Sequence, residues 1–139
     1  SKVGWYINLA GLHEQVLAEP VAFGNVLYFT SFTPASGSGA SCTKTGTARL
    51  YAINIGTNTA TCNVGTGVFA EGARSMVIGV GIASAPMISL KPGTALPPDI
   101  YATTSGAGSQ ESSTVRINFD PPTMSNRTNM LFWKDKRLQ

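Results

Sequence analysis

His13 and Glu14 are adjacent, and an imidazole beside a carboxylate is a pairing that general acid–base chemistry uses. A working site would also need a nucleophile within reach. No Gly-x-Ser-x-Gly run or other nucleophile motif lies nearby, so His13 reads as a surface residue in a loop or short helix. Two glycine loops, Gly37-Ser38-Gly39 and Gly65-Thr66-Gly67, continue neither into Lys-Ser/Thr nor into the full Gly-x-Gly-x-x-Gly that cradles a phosphate. The acidic residues are scattered, with no Asp-x-Asp-x-Asn/Asp-Gly calcium run. Cys42 and Cys62, with His13 as the one histidine, fall short of a thiolate zinc set. These residues predict no enzyme, no metal and no cofactor.

What the cysteines can do is pair. They flank an apolar run from Leu50 to Ile55, and in an exported protein one disulfide would staple the loops at either end of it. Trp5, Tyr6, Tyr28 and Tyr51 could line a sugar-binding surface, but large aromatics more often fill a core. Asn126-Arg127-Thr128 has the form of a glycosylation acceptor, which carries meaning only in a eukaryotic secretory setting.

The net charge is +3. Acids and bases balance through residue 124, so the whole excess lies in Arg127, Lys134, Lys136 and Arg137 against Asp135. A nucleic-acid surface spreads its basic residues over a face, whereas these form a short tail that suits a solvated or partner-touching terminus. Charged residues are only 12%, against ~25% in average soluble proteins. Many Thr, Ser, Gly and Pro accompany them, which favours an all-β, loop-rich, extracellular protein. No apolar run approaches the ~20 residues of a membrane-spanning helix. The chain opens on Ser1, the expectation for a processed protein or a fragment of a longer one.

The elements centre on two apolar runs. In Val26–Thr30, Val26, Tyr28 and Thr30 alternate with Leu27, Phe29 and Ser31, and both faces are largely apolar. Leu50–Ile55 behaves the same way, with Tyr51, Ile53 and Ile55 opposite Leu50 and Ala52. Strands of this kind need cover on both sides. Phe32 to Thr47 reads as a long loop, and Gly56 to Gly67 as a polar turn region. Gly4 to Leu9 reads as a strand with Trp5, Ile7 and Leu9 on one face. Leu12 to Ala18 has good helix formers but is only about two turns long before Pro20. Met76–Val80 and Ala85–Leu90 are short apolar runs, proline-rich Lys91–Asp99 reads as a loop or exposed edge, and Ile100–Thr104 as a strand. Thr114–Phe119 alternates as a half-exposed strand, with Val115, Ile117 and Phe119 on one face. Met130–Trp133 reads as a last strand.

Pro20-Val21-Ala22-Phe23-Gly24-Asn25-Val26-Leu27-Tyr28-Phe29-Thr30-Ser31-Phe32-Thr33-Pro34, followed by Leu50-Tyr51-Ala52-Ile53-Asn54, resembles the C-terminal propeller of the PilY-type proteins. These are tip-associated adhesins and assembly factors of type IV pili. Gly4-Trp5-Tyr6-Ile7-Asn8-Leu9, Gly81-Ile82-Ala83-Ser84-Ala85-Pro86 and Trp133-Lys134-Asp135-Lys136-Arg137 fit in the same order, so the likeness extends over nearly the whole chain. It implies a strand for Leu12–Ala18, an extracellular, pilus-associated location, and no enzymatic activity. The family often carries a calcium loop in its propeller, and this sequence lacks that run. A quinoprotein-like propeller also uses Leu-Tyr-Ala-Ile/Leu-Asn near a Thr-Gly turn, but its cofactor ligands and catalytic acid have no counterpart here.

A faint internal repeat agrees with blades. Pro20-Val21-Ala22 leads to Tyr28-Phe29-Thr30, and Pro86-Met87-Ile88 leads to Tyr101-Ala102-Thr103. The expectation is an all-β fold of antiparallel β-propeller-type blades, about two, loop-rich and without a substantial helix. Residues 1–139 would form a single β domain, the C-terminal part of a larger propeller. Two blades cover each other on one face only, so the free monomer is not expected to persist. Partners would be further blades of a longer chain, pilins or minor pilins, or copies of itself. Nucleic acid and a membrane span are not expected. The contact would use Met130, Phe132, Trp133, Lys134, Lys136 and Arg137, since a terminal strand can add to a neighbour's edge. The alternative is a structural subunit of an extracellular fibre. The Cys42–Cys62 bridge should stabilise the fold by ~3 kcal/mol in the chain-entropy view. Non-reducing peptide mapping of natively exported protein should recover the linked pair, and two free thiols would refute it.

Overall fold

A computed structural model describes residues 5–35, 46–56, 64–90, 98–106 and 113–118. Cys42, Cys62 and the segment from Met130 to Arg137 lie outside the described residues. The fold is two antiparallel sheets. The first has four strands in sequence order: β1 (Val21–Phe23), β2 (Val26–Pro34), β3 (Gly46–Asn54) and β4 (Ser75–Val80). The second has β5 (Met87–Ser89), β6 (Asp99–Thr104) and β7 (Ser113–Asn118), again in sequence order. The helical content among the described residues is one 3-10 turn, Ala70–Gly72. Neighbours in sequence are neighbours in space, the commonest arrangement for antiparallel strands.

The hairpin β2–β3 is the spine, paired from Val26 opposite Asn54 to Pro34 opposite Gly46. Its two faces pack into two different cores. Val26, Tyr28, Leu50 and Ala52 meet Ile78 of β4 and Ile100 and Ala102 of β6 in one core. Phe29, Tyr51 and Ile53 form the other with Leu27, Ile7 and Leu9. A bulge between Ala48 and Arg49 re-phases β4, so Arg49 pairs with Val77 while Ile78 still turns into the first core. The sheets are stitched where Gly81–Ser84 runs beside the end of β6. Ser84 N–H donates to the Thr103 carbonyl at 2.8 Å, and Ser105 N–H to that of Ile82 at 2.9 Å. Thr30 Oγ1 donates to the Ser84 carbonyl at 2.8 Å.

Several expectations need correction. The Phe32–Thr47 loop is shorter than read, because Phe32, Thr33 and Pro34 still pair with Ala48, Thr47 and Gly46. Gly46 is where the Phe32 ring lies, in space a Cβ would fill. Asp99 belongs to β6, not to a loop, and is buried beside buried Pro98. Residues 5–9 pair with no strand among the described residues, although Ile7 and Leu9 do point into the second core. Leu12–Ala18 forms neither helix nor strand. His13 takes a positive φ of 57°, which breaks a helix, and only Gln15 bridges to Phe32. The second face of the first sheet is thus partly covered by the chain's own N-terminal segment. That weakens the premise that two blades must leave it bare.

The repeat takes a definite form. Val21 pairs with Tyr28 in the first hairpin, and Met87 pairs with Tyr101 in the second. The two hairpins are therefore in the same register. Tyr28 faces the second sheet, in the first core. Tyr101 alternates with Ile100 and Ala102, which face the first sheet, so it points away from it. Equivalent faces point the same way along the stack, giving it a direction and two unlike ends.

Leu50 is fully buried in the first core. Leu50→Ala should cost about 2–5 kcal/mol, through lost transfer energy and the cavity left behind. Urea unfolding of the variant against the parent chain measures it.

Candidate functional site

The second face of the first sheet carries the one dense polar cluster that joins distant parts of the described chain. Ser31 comes from β2 and Tyr51 from β3, and the alternation that buries Phe29 and Ile53 puts both hydroxyls on the same face. Glu14 reaches them from the N-terminal segment. A turn at Gly11 aims it, with the Glu14 N–H donating to the Gly11 carbonyl at 3.3 Å. Gly11 sits where a Cβ would meet the Thr33 side chain at 2.5 Å.

Both carboxylate oxygens of Glu14 are engaged. Oε1 accepts from Ser31 Oγ and, at 2.9 Å, from the Tyr51 hydroxyl. Oε2 accepts from the Gly11 N–H at 2.6 Å. The Tyr51 oxygen in turn accepts from the Ala10 N–H at 3.3 Å. Beneath it the Phe29 and Tyr51 rings stack 4.8 Å apart and nearly parallel. Burial alone would raise the Glu14 pKa. The hydrogen bonds from Ser31, Gly11 and Tyr51 and the nearby Arg49 charge outweigh it, and the net shift is downward. Burial, together with the Glu14 carboxylate, raises the Tyr51 phenol, so the hydroxyl stays a donor at neutral pH.

This arrangement anchors; it is not poised for catalysis. A carboxylate held ionised by three donors is a poor general acid, and Ser31 has no imidazole to activate it. His13 is exposed, and no hydrogen bond joins it to Ser31 among the described residues. The four aromatics considered for a sugar surface do not come together. Tyr28 and Tyr51 are buried on opposite faces of the sheet, while Trp5 and Tyr6 are exposed. No group of three His, Cys, Asp or Glu among the described residues could hold a metal ion. No described helix is long and apolar enough to cross a membrane.

A second polar pair lies on the far face of the second sheet. Arg116 Nε donates to Asp99 Oδ2 at 2.9 Å, with the Tyr101 hydroxyl at 3.4 Å from the same oxygen. The Arg116 side chain is 55% exposed while that of Asp99 is 4% exposed, so the pair ties β6 to β7 at the sheet surface. Sequence reasoning missed both clusters. For Glu14 a signal was present: a Glu three residues after Gly11 can reach back to that N–H, as in a capping box. For Asp99 the neighbouring prolines masked the strand. Comparison with known protein families, with curated proteins and with solved structures finds no match for this chain.

Glu14→Ala would leave the nearly inaccessible Ser31 and Tyr51 hydroxyls without their acceptor. A loss of about 1–3 kcal/mol follows from the cost of unsatisfied buried donors. The pH dependence has a fixed sign. Because the folded pKa is lowered, the Glu14 contribution is present above the unfolded value of 4.5 and is lost as pH falls through the folded one. Denaturation curves between pH 3 and 7 should show this slope in the parent chain and a shallower one in Glu14→Gln.

Proposed function

We propose that the chain is a pair of consecutive blades from a larger β-propeller, and that it serves a type IV pilus-associated surface adhesin and assembly factor of the PilY kind. The role is non-enzymatic and extracellular. The observation that carries the reading is the direction of the stack. Two sheets built from one repeated hairpin could pack as a sandwich, with equivalent faces turned toward each other. Here the Tyr28 face meets the second sheet and the Tyr101 face points away from the first. Blades in a propeller follow one another in this sense, front against back, each a small antiparallel sheet with sequential strands.

The sequence likeness supports the pilus side of the reading, in residues Pro20 to Pro34, Leu50 to Asn54 and Gly81 to Pro86. The Glu14 anchor fits a structural role, since its donors hold one layer of chain against another. Partners in this reading are further blades of the same polypeptide, with pilins or minor pilins beyond them. The two unlike ends also suit the fibre-subunit alternative, in which copies of the chain supply one another's missing neighbours.

Deleting the coding segment for residues 1–139 in the producing bacterium tests the reading. Surface pili counted by electron microscopy should fall at least tenfold, and attachment to a surface with them. Piliation and attachment at parental levels would overturn it.

A further inference from the structure

We propose that residues 5–18 form a strap that opens from the second face of the first sheet as its own unit, while the two sheets stay folded. Glu14 is the latch, and uptake of one proton by its carboxyl loosens it. The inference stands apart from the blade reading, since it concerns one cover on one sheet.

The strap grips the sheet through a short part of its length. Gln15 and Phe32 exchange backbone hydrogen bonds, each at 2.9 Å. Glu14 takes the Ser31 and Tyr51 hydroxyls, and the Ala10 N–H reaches the Tyr51 oxygen. Among the described residues, these polar grips all lie between residues 10 and 15 of the strap. Ile7 and Leu9 turn onto Phe29, Tyr51 and Ile53, while Trp5, Tyr6, Leu12, Val16 and Leu17 are exposed. The first core, which joins the two sheets, contains no strap residue. The β1 ladder begins at Val21, so residues 19 and 20 serve as the hinge. Lifting the strap therefore uncovers the second core and leaves both sheets and the contact between them in place. A segment with few buried contacts opens at a lower free energy than the core it covers.

The latch responds to a proton because of what faces it. Ser31 on β2, Tyr51 on β3 and the Gly11 N–H of the strap itself all donate to the carboxylate, engaging both its oxygens. The Arg49 charge on β3 adds attraction. Ser75 of β4 hydrogen-bonds the Tyr51 hydroxyl, and His13, next to Glu14 in the chain, is exposed. A proton on either carboxyl oxygen meets a donor already directed at it. The neutral acid thus keeps weaker bonds and loses the Arg49 attraction. Burial pushes the Glu14 pKa up, but the donors and Arg49 outweigh it and hold it low while the strap is closed. Opening returns the carboxyl to its ordinary value of 4.5. The open strap therefore binds the proton more tightly, and opening increases as pH falls through 4.5 toward the closed-state value.

Hydrogen exchange of the full chain, read amide by amide by NMR from neutral pH down to about pH 3.5, tests the proposal. The Gln15 and Phe32 N–H groups report the strap, and the Ala52 N–H, bonded to the Arg74 carbonyl at 3.0 Å, reports the core. After correction for intrinsic rates, the strap amides should exchange at least about tenfold faster than the core amide. Urea should barely change them and should speed the core amide, because urea sensitivity scales with the surface exposed. In acid, strap opening should grow by up to about tenfold per pH unit. Glu14→Gln keeps the side-chain shape and cannot ionise. With its folding verified by circular dichroism, it should open about tenfold more than the parent at neutral pH and lose the pH dependence. Equal exchange and equal urea sensitivity at strap and core amides would overturn the proposal, because the molecule is then one cooperative unit. Strap opening that ignores pH in the parent chain, or a Glu14→Gln chain that retains the parental slope, overturns it equally. None of these results depends on piliation, so the strap and the pilus reading fail separately.

Discussion

The hairpin of β2 and β3 is apolar on both sides, and most of the molecule answers that one demand. A half-buried sheet can leave one face to water, but these strands cannot. Val26, Tyr28, Leu50 and Ala52 on one side and Phe29, Tyr51 and Ile53 on the other all lie out of solvent. Exposing either set would forfeit ~25 cal/mol for each Å² of apolar surface. Two different kinds of cover result. The second sheet supplies one, stitched on through Ser84 and the Gly81 turn. The N-terminal segment supplies the other.

The two covers are held by different physics. Sheet against sheet is side-chain packing, made close by small residues: Ala48, Ala52 and Ala102 lie in that core. A Cβ on Gly79 would come within 3.1 Å of Thr104. The N-terminal segment buries Ile7 and Leu9 and, among the described residues, pairs with the sheet through the Gln15–Phe32 bridge alone. A carboxylate does what packing there cannot. Glu14 draws on two side-chain hydroxyls and a backbone N–H at once, and charge-assisted hydrogen bonds are the stronger kind. The Phe29–Tyr51 stack beneath fixes the phenol that it needs.

Much of the fold was legible in residue types alone. Alternation located β2, β3, β6 and β7, and the doubly apolar runs forecast two buried faces. What sequence could not supply were the terms set by partners across space. Phe32 to Pro34 looked like loop because their strand character rests on Gly46, Thr47 and Ala48 opposite. Asp99 looked like loop because the prolines before it are local, while its Arg116 partner is seventeen residues away. Leu12 to Ala18 has helix-forming composition, but His13 takes a left-handed backbone and Glu14 is committed to the sheet. The Glu14 cluster was the largest omission. Its members are separated by 17 and 37 residues, and no spacing rule joins them.

The direction of the stack is the most informative property of the fold, and it depends on register rather than on any single contact. A one-residue slip in either hairpin would exchange its inner and outer faces. Val21 opposite Tyr28 and Met87 opposite Tyr101 hold both hairpins to the same choice. With that choice made, the far face of the second sheet differs from its counterpart in polarity. Where the first sheet sets Leu50 and Ala52 beside Thr30 and Tyr28, the second sets Thr114 and Arg116 beside Thr103 and Tyr101. The buried version of the face is apolar, and the outward version is polar with an ion pair across it. Such a face can stand in water, with Met87 69% exposed on it. The same repeat thus serves as a permanent joint inside the chain and as an exposed surface on the second sheet, and the difference lies in Asp99, which stands where Val26 does, and in the two β7 side chains that replace Leu50 and Ala52.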